Sequence, residues 1–203
     1  SIFARSQYGQ SVFDYPLFHN SEISNYESFV LRNSGNDWTS TMLRDGYITS
    51  LARKTDVDHQ LYRPAIIYLN GEYWGIQNIR EKVNEHFLSS HHDINPENID
   101  LLDIQGTNPE NIVHGTNIDY LNLLDYINNN DISDPAVQSG IEGWIDINSF
   151  MQYQAFQIFI DNRDWPGNNI KFWRDHRTTG KWRWILYDTD FGFGIWDPNA
   201  YTY

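Results

Sequence analysis

The sequence of 203 residues contains no cysteine. Disulfides, thiolate metal sites and a cysteine nucleophile are therefore excluded. Basic residues are also scarce, since 14 lysines and arginines stand against 27 aspartates and glutamates and give a formal net charge of −13. Nucleic acids and anionic membranes bind basic surfaces, so neither is expected as the main partner. A nucleotide held through a divalent cation remains compatible, because such cations bind carboxylates.

Long apolar runs are missing as well, and no stretch approaches the roughly 20 apolar residues of a membrane-spanning helix. We therefore expect no membrane span. Apolar residues are nevertheless plentiful, with 40% hydrophobic and 16% aromatic residues. This composition predicts a packed core and a single domain over residues 1–203. No signal peptide is visible, but the sequence starts at Ser1 and stops abruptly at Tyr203, so we expect a fragment of a longer precursor, in which a missing signal means little.

Local patterns predict an α+β fold of antiparallel hairpins and helices. The clearest hairpin has strands at 65–69 and 73–79 joined by Asn70-Gly71, a pair that tolerates positive φ. A second hairpin is predicted from 169–174 and 181–187, with its turn at 178–180. The remaining predicted elements are a strand at 28–32 followed by a polar turn at 33–37, and helices at 39–54, 82–90, 118–128 and 147–160, the last capped by Asp146. The rest of 91–139 is predicted to be mostly loop.

Apolar spacing predicts the buried faces of three of these helices. The residues assigned to these faces are Leu43, Tyr47, Ile48 and Leu51 in the first helix, Leu121, Leu124 and Ile127 in the helix at 118–128, and Phe150, Met151, Ala155, Ile158 and Phe159 in the last.

Three features in the last third of the chain stand in an informative order. An apolar helix ends at 161–164, Asn169 follows Asp164 by five residues, and a hairpin then leads to the run Asp-Thr-Asp-Phe-Gly at 188–192. In protein kinases a catalytic-loop Asp is likewise followed five residues later by an Asn, and a metal-binding Asp-Phe-Gly comes after it. The order and spacing predict a phosphotransferase site. The alternative is a surface loop in which Asp and Asn stabilise turns.

Phosphoryl transfer assigns a role to each of these residues. The acceptor hydroxyl must be oriented by a carboxylate, which predicts that Asp164 orients or deprotonates it. Divalent ions must neutralise the phosphate oxygens, which predicts that Asn169 offers its amide oxygen to a metal and that Asp190 bridges metal and phosphates. Asp188 shares one face with Asp190 if the strand continues, so either carboxylate could be the main ligand, and Asp190 is favoured.

The first half of the chain suggests a nucleotide-binding part. Arg32 ends a strand where a kinase places its phosphate-binding lysine, and Asp45 lies in the next helix, where the partner acid belongs. The two could pair bidentately, or they could form an ordinary surface pair. The segment 80–83 follows the first hairpin where a kinase hinge meets adenine, so Glu81 and Val83 are predicted to contribute through their backbone. A structural cap or pair is the alternative role for Glu81.

At these residues the sequence resembles the CotH kinase family, the atypical protein kinases similar to spore coat protein H. The matching stretches, in chain order, are 31–38, 42–45, 63–75, 79–81, 164–169 and 181–192. The resemblance implies a divergent protein-kinase-like two-lobed fold, with residues 1–80 resembling the small lobe and 81–203 the large lobe. It implies that ATP and Mg²⁺ (or Mn²⁺) bind and that Ser or Thr of a protein substrate is phosphorylated. Asp164 matches the catalytic-loop position, and Asp188 or Asp190 the metal position. Bacterial origin and an extracellular or cell-surface location are further implications.

Three other functions compete with a kinase. A phosphohydrolase could use Asp188 and Asp190 without an adenine pocket, and a pseudokinase would keep the fold without activity. A glycan-binding module could use a platform of tryptophans, because alternating residues of a strand point to one face. The tryptophans that could form such a platform lie in the last third of the chain and are Trp165, Trp173, Trp182, Trp184 and Trp196. The run His91-His92-Asp93 is interpreted as a polar helix end rather than a zinc site.

Overall fold

A computed structural model describes residues 1–105, 108–177 and 180–195. Within these ranges the chain combines antiparallel sheets with five α-helices, which confirms the α+β prediction. The two-lobed kinase-like arrangement and its division into 1–80 and 81–203 stay predictions. Most of the predicted turn at 178–180, and Trp196, lie outside the described residues. No helix in the described part of the chain is long and apolar enough to cross a membrane.

The elements, numbered in chain order, are as follows. The strands are β1 (Ile2–Phe3), β2 (Phe13–Asp14), β3 (Asn25–Tyr26), β4 (Ser28–Arg32), β5 (Asp58–His59), β6 (Tyr62–Leu69), β7 (Glu72–Glu81), β8 (Ile99–Gln105), β9 (Asn108–His114), β10 (Ile170–Asp175) and β11 (Arg183–Leu186). The helices are α1 (Arg44–Leu51), α2 (Glu85–His92), α3 (Ile118–Asn129), α4 (Pro135–Trp144) and α5 (Ile147–Phe159).

Both predicted hairpins are confirmed. β6 and β7 pair antiparallel across Asn70 and Gly71, whose φ angles are 52° and 85°. They form one side of a four-stranded sheet of order β1-β4-β7-β6. β10 and β11 pair antiparallel in a five-stranded sheet of order β5-β11-β10-β8-β9. β5 joins this second sheet parallel to β11, and so ties the segment before the first hairpin to the second sheet.

The prediction that 91–139 is mostly loop is wrong. The segment contains the hairpin of β8 and β9 and also the first half of the helix α4. β8 is buried along its first five residues, including Asp100 and Asp103, so it shows no polar–apolar alternation. Both aspartates are paired with cations of β10, Asp100 with Arg174 and Asp103 with Lys171. Because these ion pairs place charged residues inside a buried strand, the sequence pattern did not reveal β8.

Two predicted helix starts are also corrected, and in each a polar side chain explains the difference. α1 begins at Arg44 rather than 39, because the Asp37 carboxylate accepts hydrogen bonds from the backbone N–H groups of Thr41 and Arg44 and holds the segment as a turn. α2 begins at Glu85 rather than 82, since the Asn84 side chain accepts from the Phe87 N–H. The predicted cap of α5 is confirmed: the Asp146 side chain accepts from the Ser149 N–H.

The predicted buried faces are only partly right. Ile48 is buried, but Leu43 and Tyr47 are exposed. α3 buries Leu123 and exposes Leu121. α5 turns a different face inward, for the buried residues are Ser149, Tyr153, Phe156 and Gln157, whereas Met151, Ile158 and Phe159 are exposed. The inward face of α5 includes polar side chains because Gln157 hydrogen-bonds Tyr153 and Asn162.

The main core lies where α1 and α5 pack against the five-stranded sheet, and it includes Ile48, Tyr153, Phe172, Trp182 and Trp184. α5 ends at Phe159 and β11 ends at Leu186. The loops that follow these two elements carry the predicted site residues.

Candidate active site

The end of β4 meets the loop that follows β11. Arg32 Nη2 hydrogen-bonds Asp188 Oδ1 and lies 3.2 Å from Asp190 Oδ2. Burial disfavours the charge on Arg32, but its hydrogen bond to Asp188 and the charges of Asp45, Asp188 and Asp190 outweigh burial and raise its pKa. The structure therefore brings a permanent cation between the two predicted metal ligands.

Asp190 is enclosed by the loop after β4. Its side chain is 1% exposed, and Oδ2 accepts a hydrogen bond of 2.8 Å from the Asn36 N–H. Gly35 has a φ of +58°, and a Cβ there would lie 2.1 Å from Asp190 Oδ2, so only glycine allows this approach. Burial raises the pKa of Asp190, and the Asn36 N–H opposes this effect. The predicted polar turn at 33–37 thus holds the Asp190 carboxylate in place.

Asp188 is more open than Asp190. β11 ends at Leu186 and Asp188 has a φ of 51°, so the strand does not continue and the two aspartates do not share a strand face. They converge instead on Arg32. The Asp188 side chain is 26% exposed, which makes it the more accessible of the two carboxylates.

Asp45 binds the same loop, but not through the predicted bidentate pair. Its Oδ2 lies 3.9 Å from Arg32 Nη1, too far for a hydrogen bond, and accepts instead from Arg80 Nη1 at 2.7 Å. Its Oδ1 accepts from the Thr189 N–H at 2.9 Å and from Thr189 Oγ1 at 3.0 Å. Burial raises the pKa of Asp45, but Arg80, Arg32 and the Thr189 donors outweigh it and lower the pKa. Sequence reasoning missed the part played by Arg80, which lies in the middle of a strand pattern.

The loop after α5 holds the other predicted residues. Asp164 Oδ2 accepts from the side-chain amides of Asn168, at 3.1 Å, and Asn169, at 2.5 Å. The Asp164 N–H donates to Asn162 Oδ1 at 3.2 Å, and Asn162 is anchored in turn by Gln157 of α5. The Asn169 amide nitrogen is thus directed at Asp164, and its amide oxygen is the end that the metal prediction requires.

Two backbone hydrogen bonds join these loops. The Arg163 N–H donates to Phe191 O at 3.4 Å, and the Phe193 N–H donates to Ile160 O at 2.6 Å. Arg44 of α1 adds contacts from Nη1 to the carbonyl oxygens of Gly192 and Phe193. The catalytic-loop candidate and the metal-loop candidate are therefore adjacent segments of the structure.

A comparison with protein-family models decides the family. The model described as CotH kinase protein matches residues 5–202, nearly the whole chain. The chain belongs to the CotH kinase family. None of the curated proteins matches it. Two of the six stretches that carried the resemblance, 164–169 and 181–192, are brought close together through the backbone hydrogen bonds of Ile160, Arg163, Phe191 and Phe193.

Elsewhere in this CotH-family chain, Glu81 and Val83 make structural contacts. Glu81 Oε2 accepts from the Leu61 N–H at 2.8 Å, and Oε1 lies 2.7 Å from His91 Nε2. Val83 packs in a buried cluster with residues of α2, β8, β10 and β11. No contact of theirs described here involves Arg32 or the two metal-loop aspartates, so their predicted backbone role in nucleotide binding remains a prediction.

The carboxylates of this CotH-family site suit Mg²⁺ or Mn²⁺, which prefer oxygen ligands. In the part of the chain that the structure describes, no group of three His, Cys, Asp or Glu side chains is placed to hold an ion. Mg²⁺ is commonly held by one or two carboxylates together with substrate phosphates. Asp188 and Asp190 supply two carboxylates, so the residues present are compatible with the predicted ion, which stays a prediction.

Two sizeable cavities lie away from this acidic site. One of about 580 Å³ is lined by His59, His91 and His92 among others, and one of about 270 Å³ lies beside Glu81 and Lys82. Neither is lined by Asp164, Asp188 or Asp190. A much smaller pocket, of about 10 Å³, is lined by Arg32 and Asp45 among others.

The structure also weighs on the competing interpretations. Trp173, Trp182 and Trp184 are buried in the cores, so their rings form no exposed sugar-stacking surface. α2 ends at His92, whose Nε2 contacts Asp58, while His91 contacts Glu81. The histidine run is a polar helix end, as interpreted from the sequence.

Proposed function

We propose that this chain is an atypical protein kinase that transfers the γ-phosphate of ATP to Ser or Thr of a protein, with Mg²⁺ or Mn²⁺. Membership of the CotH kinase family supports a kinase-like function. The observation that carries the proposal is the adjacency of the two loops. The segment with Asp164 and Asn169 is joined by backbone hydrogen bonds to the segment that follows Asp188 and Asp190.

In this proposal Asp164 orients the acceptor hydroxyl and takes up its proton. Its Oδ2 accepts hydrogen bonds from two side-chain amides. No arginine or lysine is among the contacts of Asp164 in the described part of the chain. The geometry thus supports Asp164 as the base and leaves the metal role to the other loop.

Arg32, Asp188 and Asp190 form the phosphate side of the proposed site. The divalent ion would neutralise charge on the phosphate oxygens. Asp188 is the more accessible of the two carboxylates and would contact the ion first, whereas Asp190 is enclosed. Arg32 contacts both carboxylates, and its remaining guanidinium donors can hydrogen-bond phosphate oxygens when a nucleotide binds.

The first test is binding. ATP with Mg²⁺ or Mn²⁺ should raise the melting temperature of the protein, and ligand at 100 times its Kd should add roughly 2.7 kcal/mol of stability. Absence of a shift with every nucleotide–metal pair contradicts the proposal.

The second test is transfer of radiolabelled phosphate from ATP to a protein acceptor. Asp164→Asn should abolish transfer and preserve the ATP-induced thermal shift, whereas Asp188→Asn and Asp190→Asn should weaken metal binding itself. Asp125→Asn, at an exposed position of α3, is the matched control and should change neither property. Nucleotide binding without transfer by the unchanged protein would favour a pseudokinase instead.

A further inference from the structure

The loop that carries Asp188 and Asp190 lies beyond the end of strand β11 and has no strand partner among the described residues. β11 ends at Leu186, and Asp188 has a left-handed backbone conformation. Between the two aspartates lies Thr189, which is fully buried. Its N–H and its hydroxyl both donate to one oxygen of Asp45, on α1. A side chain from a distant element therefore replaces the missing strand pairing at the centre of the loop.

The second oxygen of Asp45 is held by Arg80, which is 1% exposed. Arg80 Nη2 reaches Thr49 Oγ1 at 3.2 Å and Gln60 Oε1 at 3.4 Å. Desolvation of a buried ion pair costs free energy that a well-packed apolar pair of similar shape would not incur. A pair kept in spite of that cost is a candidate for a positional role rather than for stability alone.

A second pair provides the structural contrast. Asp100 Oδ1 accepts from the Thr116 N–H at 2.8 Å, and Asp100 Oδ2 accepts from Arg174 Nε at 2.9 Å. Asp100 and Arg174 stand opposite each other on the paired strands β8 and β10. The arrangement of one aspartate between a backbone N–H and an arginine is the same, but here the sheet already fixes both residues.

We propose that Asp45 and Arg80 are positioning residues that hold Thr189, and through it the flanking carboxylates of Asp188 and Asp190, in the geometry that a metal–nucleotide complex requires. Asp45 acts on the loop from behind and does not touch the nucleotide. The positional half of this inference concerns the ligand-free protein alone, and the functional half rests on the proposed function. The two halves are tested separately.

The positional half is tested by amide hydrogen exchange, read by mass spectrometry on the ligand-free protein. Asp45→Asn keeps the shape of the side chain but weakens both of its charged bonds, so the amides of 187–192 should exchange about tenfold faster. Thr189→Val removes only the hydroxyl bond, leaves the buried charges intact and should give a smaller acceleration in the same segment. This second variant keeps the test decisive if Asp45→Asn folds poorly.

The control is Asp100→Asn in the matched pair. It should accelerate exchange in 99–104 and 170–175 and leave 187–192 protected. Unchanged exchange at 187–192 in both Asp45→Asn and Thr189→Val overturns the inference. An equal acceleration over the whole chain does so too, because it would make the pair a contributor to global stability only.

The functional half is tested by Mn²⁺ affinity in the presence of ATP, measured by electron paramagnetic resonance. Asp45→Asn should weaken Mn²⁺ binding about tenfold, which corresponds to about 1.4 kcal/mol, and Asp100→Asn should not. Wild-type protein that binds no Mn²⁺ with ATP overturns the proposed function, and with it this half, while the exchange result still decides the positional half. Wild-type protein that binds Mn²⁺ as tightly as Asp45→Asn overturns this half alone.

Discussion

The pairs Asp45–Arg80 and Asp100–Arg174 put the same chemistry in two different settings. Each aspartate accepts a backbone N–H on one oxygen and an arginine on the other. The remote pair joins neighbouring strands, and its arginine also reaches Asp119 and lies over the Trp182 ring. The pair near the site joins α1, β7 and a loop that has no strand partner.

The difference shows what a buried ion pair contributes in each place. In the sheet, strand hydrogen bonds already fix the backbone, so the charges add to an arrangement that exists without them. Near the site, the charges and the Thr189 donors hold the centre of a loop that has no strand partner. We therefore expect similar chemical changes to have unlike consequences in the two regions.

The largest effect is expected from removing the arginines. Arg80→Met leaves the buried Asp45 carboxylate without its nearest cation and should cost about 3–5 kcal/mol of unfolding free energy. Arg174→Met also leaves a buried carboxylate, Asp100, but His176 Nδ1 remains 3.8 Å from its Oδ2 and the exposed Asp119 becomes solvated, so a smaller loss is expected. Urea unfolding with an unchanged m-value provides the measurement. Equal losses for the two variants would remove the energetic distinction between the pairs.

A smaller effect is expected from the glycines that lie against each region. Gly35 has a φ of +58° beside Asp190, and Gly115 has a φ of +72° with a would-be Cβ 2.4 Å from Asp100 Oδ1. Alanine at either position should cost about 1–2 kcal/mol for the left-handed backbone alone. Gly35→Ala should also displace Asp190 and so reduce the thermal shift induced by ATP and Mg²⁺, whereas Gly115→Ala should preserve that shift. A preserved thermal shift in Gly35→Ala would show that the contact of the 33–37 turn with Asp190 is not needed for nucleotide binding.

The smallest effect concerns pH, at the end of the hydrogen-bonded chain that runs from Arg80 through Gln60 to Glu81 and His91. Burial lowers the pKa of His91, but its hydrogen bond with Glu81 and the charges of Glu81 and Asp58 outweigh burial and raise it. A raised pKa means that the charged pair stabilises the protein fully below the unfolded value of about 6.5 and that this stabilisation is lost as pH rises through the folded value.

His91→Gln should therefore remove a fall in stability with rising pH above about 6.5. His59 should affect stability in the opposite direction, because burial lowers its pKa. Its neutral form stabilises the protein above the unfolded value, and this stabilisation is lost as pH falls from there. His59→Gln should accordingly reduce the loss of stability at acid pH. Melting temperatures between pH 5 and 8 check both variants. Parallel profiles for His91→Gln and the unchanged protein would exclude His91 as a titrating contributor.

Local features of the fold could be predicted from the sequence, because their causes are local. Asn70-Gly71 specifies its own turn, Asp146 caps the helix that begins beside it, and the interval from Asp164 to Asn169 brings both into one hydrogen bond. The helix α4 was missed although Asp134 and Pro135 mark its start.

Long-range contacts could not be predicted in the same way. The hydrogen bond from Thr189 to Asp45 spans 144 residues, and that from Asn36 to Asp190 spans 154. Periodicity also misassigned α5, since it places apolar residues inward, whereas Gln157 is inward because Tyr153 and Asn162 satisfy its amide. Partners that lie far apart in the chain decide these positions.

The two backbone hydrogen bonds that join the loop after α5 to the loop after β11 have a mechanical consequence. They connect Arg163 to Phe191 and Phe193 to Ile160, so each loop restrains the backbone of the other. We therefore expect a displacement of one loop to move the other with it, so that a substitution that shifts Asp188 also alters the surroundings of Asp164. The hydrogen bond from the Asn36 N–H to Asp190 adds a restraint from the loop after β4.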